Sequence, residues 1–538
     1  MIPIIDLFAG PGGLGEGFSS LLDERGRRIF KISLSIEKDV YAHQTLKLRS
    51  FFRQFPVNEV PDDYYTFVKG DITLKELYDR HPAEAAAADK EAWCGTLGKP
   101  GINDKNGLSN NEIDERIQEA LAGRRNWLLI GGPPCQAYSI VGRARRQETK
   151  LNEDKDVRVG LYKEYLRIIA VHRPAVFVME NVTGLLSAQT ERESIFQKIL
   201  KDISNPVTTC IWEGEVLPDY EPVTYKIYSL TKMQGHDLWG TPLPFEPQDF
   251  IIKAEEYGIP QKRHRVILLG IREDIDATVN VLEKQAEVSL STVIGPLPRI
   301  RSGVSRSFSH SGIVFDKSGR PQKKRYYNKL ADSFEEWRRW IEEYNREINE
   351  CLGLQEQIRE DQLPASLGSD YIETGNVVVN HGRLGNWFFD PRLGGVLHHI
   401  SRKHMAQDLK RYLFAARYAQ IYGTFPRLED YKKTGDDLLP DHENAESGKF
   451  TDRFRVQLPD IPATTVTSHI AKDGHYFIHY DPTQVRSLTV REAARIQTFP
   501  DNYYFCGGRT DQFHQVGNAV PPYLAYQIAQ VVKEILPD

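Results

Sequence analysis

The sequence has few cysteines, and none of them is arranged in a pair. No Cys-x-x-Cys occurs among the 538 residues, so neither a disulfide framework nor a zinc knuckle is indicated. We therefore expect a reduced, cytosolic protein that uses no metal. The five cysteines are scattered, at Cys94, Cys135, Cys210, Cys351 and Cys506.

Long apolar runs are also missing. No window approaches the roughly 18 apolar residues that a membrane span needs, and the first residues, Met1 to Asp6, run directly into a folded motif rather than a signal peptide. We expect no membrane contact.

The sequence also has no large excess of positive or negative charge. The formal net charge is −5, so any surface for a polyanion must be local. Lysine and arginine are concentrated in residues 299–329 and 381–422, and in the second stretch they alternate with aromatic residues. Such mixtures occur in nucleic-acid surfaces, although a run of charges is more often a solvated face, and both interpretations stay open.

Hydrophobic patterning predicts an α/β fold. In residues 1–272, short apolar strands alternate with helix-like segments, which indicates a doubly wound, mostly parallel sheet of the Rossmann-like type. Strands are predicted over residues 2–5, 31–36, 66–71, 127–130, 175–179 and 265–271. The polar residues that follow these strands should converge on one edge of the sheet.

The alternation stops near residue 273 and returns near residue 488. We predict a catalytic domain from residues 1–272 and 510–538, interrupted over about 75–125 by an insertion of surface helix and loop. Residues 273–509 would form a second, irregular domain. In it we predict helices over residues 333–363 and 401–422 and strand-like structure over 452–480.

A glycine-rich turn follows the first strand. Gly10, Gly12 and Gly15 form the pattern Gly-x-Gly-x-x-Gly, and Glu37 ends the second strand about 20 residues further on. This pattern suits an adenosine ribose held by a carboxylate and leaves NAD, FAD and S-adenosylmethionine open. Phe8 could stack on the adenine, and Asp71 could accept a hydrogen bond from its amine.

Cys135 stands at the end of another strand, after two glycines and two prolines that stiffen its approach. Glu180 occupies the equivalent place on the next strand. A thiol nucleophile beside a carboxylic acid suits addition to an electron-poor ring. Arg263 and Arg265, two residues apart, should point to one side. One could serve an anionic substrate group, and the other could hold Glu180 or lower the pKa of the thiol.

Together these segments resemble the DNA (cytosine-5) methyltransferase family, in the order of that family's motifs. The matching segments are Asp-Leu-Phe-Ala-Gly-Pro-Gly-Gly (6–13), Gly-Pro-Pro-Cys-Gln (132–136), Glu-Asn-Val (180–182), Gln-Lys-Arg-His-Arg (261–265), a late structural motif (488–500) and Gly-Asn-Ala-Val-Pro-Pro (517–522). One such match can arise by chance, whereas six in order are highly specific.

The resemblance implies transfer of a methyl group from S-adenosylmethionine to C5 of a flipped-out cytosine in double-stranded DNA, with S-adenosylhomocysteine as product. It implies that Cys135 adds to C6 and that Glu180 engages N3, with Arg263, Arg265 and Gln261 completing the catalytic set. The implied cofactor contacts are Phe8, Ala9, Gly10, Gly12, Gly13, Leu14, Glu37, Asp71, Pro133, Asn518 and Val520. The implied DNA contacts, in or beside a predicted lid over residues 140–159, are Gln136, Ser139, Arg143 and Arg145.

The segment between the fourth and fifth motifs is the target-recognition region of this family, and its large size here favours DNA over the tRNA-modifying branch of the same fold. Two less favoured hypotheses are a catalytically silent DNA-binding relative and a nicotinamide or flavin oxidoreductase. The resemblance is to stand-alone bacterial or phage enzymes without a regulatory extension. We expect a monomer in the bacterial cytoplasm, on nucleoid DNA, in a restriction-modification or phage-defence system with a cognate nuclease or defence proteins acting on the same DNA.

Overall fold

A computed structural model describes residues 1–98, 106–134, 157–188, 194–212, 222–433, 438–439 and 454–536. In these ranges the strands are β1 (Ile2–Leu7), β2 (Phe30–Glu37), β3 (Ala92–Cys94), β4 (Thr96–Leu97), β5 (Gly107–Leu108), β6 (Leu128–Gly131), β7 (Val176–Val182), β8 (Tyr225–Tyr228), β9 (Ile251–Lys253), β10 (Gln261–Lys262), β11 (His264–Arg272), β12 (Gly303–Phe315), β13 (Pro321–Lys329), β14 (Gly368–Glu373), β15 (Gly395–Ile400), β16 (Lys403–Met405) and β17 (Ala463–Thr464).

The helices surround these strands. They are α1 (Gly13–Ser19), α2 (Val40–Gln54), α3 (Asp62–Lys69), α4 (Leu74–Arg80), α5 (Pro82–Glu91), α6 (Asn110–Leu121), α7 (Val157–His172), α8 (Ile195–Ser204), α9 (Pro206–Trp212), α10 (Leu290–Ile294), α11 (Phe334–Leu352), α12 (Gly382–Phe388), α13 (Ala406–Tyr422), α14 (Leu428–Lys433), α15 (Val490–Ile496), α16 (Arg509–Asn518) and α17 (Pro522–Ile535). Within the described ranges, no helix combines the length and the apolar character that a membrane crossing requires.

In the described part of the chain, the central sheet has eight strands, in the order β3-β2-β1-β6-β7-β11-β8, with β9 also paired to β11. The first five run parallel, whereas β11 is antiparallel to both β7 and β8. The predicted α/β fold with a mostly parallel sheet is therefore confirmed. Both faces of β1 and β6 are buried, which is why these strands read as continuous apolar runs.

The strand predicted over residues 66–71 is wrong, because α3 occupies most of that stretch. Tyr64, Tyr65, Phe67 and Val68 are buried together on one side of this helix, so helical spacing, not alternation, describes the segment. The third strand of the sheet is β3, which pairs with β2 at the edge. The segment over 75–125 is therefore more than surface helix and loop, since it supplies α4, α5, α6 and an edge strand.

The later predictions are mixed. The helices predicted over 333–363 and 401–422 appear as the shorter α11 and α13. The strand-like structure predicted over 452–480 is largely wrong for its described part, which holds the two-residue β17, an isolated bridge between Val456 and Ile478, and a short 3₁₀ helix over Ser468–Ala471. This segment packs instead through single side chains such as Val466 and Ile470, both fully buried.

Two hydrophobic clusters cover the two faces of the central sheet. The first joins alternate residues of β1 and β6 to α1, α15 and α17, and the second joins the intervening residues to α6, α7 and α8. A third cluster holds α11 and α13 together within the second part of the chain. The late helix α15 thus packs against the central sheet although it is far from β1 in sequence.

Candidate active site

The glycine-rich turn leaves β1 at the edge of the sheet and enters α1. Gly12 has φ +94°, and a side chain there would stand 2.9 Å from Leu46 Cδ1, so conformation and space both favour glycine. Phe8 adopts φ +58° although it has a Cβ. This is a costly conformation that tends to persist where surrounding structure demands it.

Glu37 ends β2 beside this turn. Its Oε2 accepts a hydrogen bond from Gly10 N and its Oε1 accepts one from Asp39 N, each at 2.8 Å. Burial raises the pKa of Glu37, against the opposing effect of these backbone bonds. A carboxylate can accept about four hydrogen bonds, so each oxygen can still receive a hydroxyl from a bound ribose.

Glu180 and Arg265 meet at the same edge, from the antiparallel neighbours β7 and β11. Arg265 Nε lies 2.8 Å from Glu180 Oε1, and each side chain is 15% exposed. The contact is a close ion pair that lacks the alignment of a hydrogen bond. A Cβ at Gly132 would stand 2.9 Å from Glu180 Oε2, so a larger residue there would have to displace the carboxylate.

Asn181 connects Glu180 to the segment that leads to Cys135. Its Nδ2 donates to Pro133 O at 3.1 Å, which fixes the path of the chain after β6. The turn, Glu37, Glu180 and this segment together line one cavity of about 550 Å³, within the size range of small-molecule sites.

Most of the residues implicated by sequence line this cavity. They are Phe8, Ala9, Gly10, Gly13, Leu14, Glu37, Pro133, Glu180, Arg263, Arg265, Asn518 and Val520. Gly12, Asp71 and Gln261 do not line it. Asp71 is exposed and follows α3, because the segment is a helix rather than a strand of the sheet.

Cys135, Gln136, Ser139, Arg143 and Arg145 lie outside the described residues, as does the lid predicted over 140–159 except for the start of α7. Pro134, the residue before the cysteine, lines the cavity.

Gln261 and Arg263 are buried and bonded within the protein. Gln261 Nε2 donates to Gln497 Oε1 at 2.6 Å, and its Oε1 accepts from Val466 N at 3.1 Å. Arg263 donates to Val466 O at 2.8 Å and to Gly517 O at 3.3 Å. Burial holds the pKa of Arg263 well below its usual value. Of the two arginines, therefore, Arg265 contacts Glu180, and Arg263, which lies between β10 and β11, is bonded to two distant segments.

Several cavity residues were not identified from sequence. They include Thr96, Leu161, Thr467, Ser468, His514 and Gln515. Thr96 follows β3, the short strand hidden in the predicted insertion, so a search for three apolar residues before a glycine would have found it. The others lie on helices or loops whose local pattern carries no sign of a ligand.

Comparisons with known proteins relate this chain to methyltransferases. The family model described as C-5 cytosine-specific DNA methylase matches residues 102–206 and 245–534. The Type II methyltransferase M.Bpa9945I of Bacillus paralicheniformis is 29% identical over 99% of this chain and 99% of its own length. The Type II methyltransferase M.DdeI of Desulfomicrobium norvegicum is 26% identical over 98% and 87%. Among solved structures, the methyltransferase EhMeth of Entamoeba histolytica covers 100% of this chain and 99% of its own, at 11% identity and a TM-score of 0.42.

Proposed function

Because the chain belongs to the C-5 cytosine-specific DNA methylase family, we propose that it methylates C5 of a flipped-out cytosine within a specific double-stranded DNA sequence. The observation that carries this proposal is the shared cavity. The glycine-rich turn and Glu37 form one side of it, and Glu180, Arg265 and the approach to Cys135 form the other. A nucleotide-type cofactor and a reactive ring therefore have room to meet.

The cavity suits S-adenosylmethionine, which would supply the methyl group. Glu37 presents a carboxylate to the ribose, and Phe8 presents a ring to the adenine. The remaining contacts proposed for the cofactor are Ala9, Gly10, Gly13, Leu14, Pro133, Asn518 and Val520. Gly13 allows two of the segments that line the cavity to pack closely, because a Cβ there would stand 2.3 Å from Val520 O. The last motif therefore packs directly against the glycine-rich turn.

The protein side of the reaction rests on Cys135 and Glu180. The thiolate of Cys135 forms a bond to C6 of cytosine, and Glu180 hydrogen-bonds or protonates N3, which stabilises the charge that moves into the ring. C5 would take the methyl group as S-adenosylhomocysteine leaves. A water molecule would then accept the C5 proton as the C6–S bond breaks, and N3 would return any proton it had taken to Glu180, which restores the aromatic ring and the thiolate. Arg265 holds Glu180 in place and keeps it at the cavity.

Access to C6 requires the cytosine to leave the base stack. The segment after Cys135 would close over the flipped base, with Gln136, Ser139, Arg143 and Arg145 as the proposed DNA contacts. We place target recognition in residues 273–509, whose α11 and α13 have a hydrophobic cluster of their own, and catalysis in residues 1–272 and 510–538.

The biological role follows from the relatives. Both relatives described above are called Type II methyltransferases, which supports modification of DNA in a restriction-modification system of a bacterial cytoplasm. A tRNA substrate, the main competing hypothesis, is less well supported because the matching family model is that of a DNA methylase.

Bisulfite sequencing of DNA from cells that express the wild type or Cys135→Ser tests this function. We expect 5-methylcytosine at one sequence motif in wild-type cells and a loss of at least about 10³-fold in the variant, because the variant lacks its nucleophile. S-adenosylhomocysteine binding, measured by calorimetry, should be unchanged in the variant. Cysteine-dependent methylation found in RNA and not in DNA would contradict the proposal.

A further inference from the structure

A long β-hairpin projects from the second part of the chain. β12 and β13 pair from Arg306–Lys329 to Phe315–Pro321, and beyond Ser307 none of their residues is buried. Ile313 and Phe315 are 73% and 70% exposed. Asp316, the one acidic residue of the hairpin, is engaged in the turn, where it accepts from Ser318 N and Arg320 N. The exposed ribbon is about 25 Å long at 3.4 Å per residue.

Both faces of this ribbon carry basic and aromatic side chains together. On one face, Arg306 lies over the Tyr327 ring at 4.2 Å. On the other, His310 stacks on Tyr326 at 4.7 Å, and Lys324 lies over the same ring at 5.5 Å. Seven lysines and arginines occupy the hairpin, and all of them are exposed: Arg306, Lys317, Arg320, Lys323, Lys324, Arg325 and Lys329.

The second basic stretch, over 381–422, differs from the hairpin because its arginines are largely internal. Arg402 and Arg411 are buried and donate to backbone carbonyls, and Arg417 donates to Asn345 Oδ1 and Glu356 O. Lys410 is paired with Glu347 at 2.5 Å. These side chains hold the fold together. The exposed cations of this stretch are Arg383 and Lys403, against seven exposed cations on the hairpin.

The root of the hairpin is connected to the active-site cavity. Gly303 N donates to Arg402 O at 2.9 Å. The guanidinium of Arg402 in turn donates to Ile470 O and to Lys472 O. These carbonyls belong to or follow the 3₁₀ helix whose first residue, Ser468, lines the cavity. Two successive hydrogen bonds, through Arg402, therefore connect the base of the hairpin to the 3₁₀ helix that lines the cavity.

We propose that the β12–β13 hairpin enters the major groove of the substrate duplex and contributes to reading its sequence. This inference rests on the proposed function. The major groove is about 12 Å wide and admits a two-stranded ribbon. A ribbon exposed on both faces can present lysine and arginine to phosphates on the two sides of the groove and Ile313 and Phe315 to thymine methyl groups. The charge of the hairpin is complementary to DNA, and a protein partner with an acidic groove is the competing occupant.

The first test neutralises three hairpin charges with Arg320→Gln, Lys324→Gln and Lys329→Gln in one protein. Binding to a 30-bp random-sequence duplex is measured as a function of salt. We expect at least about 10-fold weaker binding and a salt dependence that is shallower by about one to three counterions. The matched control is Lys75→Gln, Lys90→Gln and Lys284→Gln, which removes three exposed charges elsewhere and should bind as the wild type does. Equal binding and equal slopes in the two variants would overturn the inference.

The second test replaces residues 309–326 by Asn-Gly, a two-residue turn that can join the paired Phe308 and Tyr327. The DNA is a duplex that contains the motif found by bisulfite sequencing. On it, the wild-type protein should protect guanine N7, a major-groove atom, from methylation by dimethyl sulfate, and the shortened protein should not. Unchanged protection and an unchanged methylation motif would overturn the inference while leaving the methyltransferase function intact. Absence of cytosine methylation by the wild type would instead contradict the proposed function, and the random-duplex experiment would still decide the role of the hairpin.

Discussion

At the scale of single residues, the ion pair between Glu180 and Arg265 determines what the candidate site can do. The two side chains come from antiparallel strands and are both mostly buried. A carboxylate held beside a guanidinium is fixed in position, and it can engage a ring nitrogen without first losing a solvent shell. In the proposed reaction Arg265 would act through Glu180, which would make it a positioning residue.

Replacing Glu180 by Gln should lower kcat for DNA methylation by about 10² to 10⁴, the usual effect of losing a proton-transfer group. Binding of S-adenosylhomocysteine should stay within about threefold. Glu256→Gln is a suitable control, because Glu256 also pairs with a cation, Lys284, but away from the cavity. A Glu180→Gln enzyme that keeps most of its kcat would argue against the assigned role.

Asp6 gives a second prediction at this scale. It is buried in β1, and neither carboxylate oxygen has a hydrogen-bond partner among the described residues. Burial, opposed by Arg53, raises the pKa of Asp6 from 3.8 to about 8. Between pH 4 and 8 the native state therefore keeps a proton that the unfolded state has lost, so stability falls as the pH rises.

Asp6→Asn removes this titration. Relative to the variant, the wild type should lose about 1 kcal/mol of unfolding free energy per pH unit between pH 5 and 8. Urea unfolding at each pH measures the difference. Parallel pH dependence of the two proteins would show that Asp6 is ionised in the native state.

At the scale of elements, the decisive contact joins the start of α1 to the segment that follows α16. Gly13 packs against the backbone carbonyl of Val520, and Tyr503 donates a hydrogen bond to Pro11 O. Residues near the end of the chain therefore hold the glycine-rich turn in shape. Sequence spacing alone could not indicate this contact, because it depends on how α15, α16 and α17 pack on the central sheet.

Gly13→Ala should damage the cofactor site. The new Cβ would meet a backbone oxygen, which cannot move as a flexible side chain can, and overpacking of this kind costs about 1–3 kcal/mol. We expect at least about 10-fold weaker binding of S-adenosylhomocysteine by calorimetry and a lower Tm. Gly382→Ala is the control, since no described atom lies within 4 Å of its added Cβ. Equal cofactor binding in the two variants would exclude the proposed packing.

The mistaken third strand is also explained at this scale. Residues 66–71 contain β-branched and aromatic residues, but Tyr64, Tyr65, Phe67 and Val68 form one buried helical face. The real edge strand, β3, has only three residues and lies after the alanine-rich α5. A strand of three residues is too short to show a recognisable apolar pattern, and it is stabilised by pairing with β2. For this reason the sequence around β3 indicates an insertion rather than a strand of the sheet.

At the scale of the whole molecule, Arg263 and Gln261 join the residues that precede β11 to segments more than 200 residues away. Arg263 is 2% exposed and donates to carbonyls of Val466 and Gly517. This arginine, which its motif places among the catalytic residues, therefore supports the frame of the cavity. Its loss should affect the stability of the whole protein.

Arg263→Met should reduce the unfolding free energy by about 1–3 kcal/mol, because it leaves two buried carbonyls without a donor. Arg265→Met should instead lower kcat with a smaller loss of stability, since Arg265 forms an ion pair with Glu180 and donates a hydrogen bond to the carbonyl of its own neighbour, His264. Urea unfolding and steady-state kinetics on both variants separate the two roles. The reverse pattern would contradict the structural assignment of Arg263.

The sequence by itself determined the α/β fold class, the position of Glu37 at the end of β2 and of Glu180 near the end of β7, and the glycine-rich turn. These features are local, since apolar periodicity and the conformational freedom of glycine act over a few residues. Only the tertiary structure decided the order of the strands, the antiparallel direction of β11, the edge position of β3 and which arginine reaches Glu180. These features depend on packing between segments that can be hundreds of residues apart in sequence. The local sequence pattern does not indicate which of those segments will be in contact.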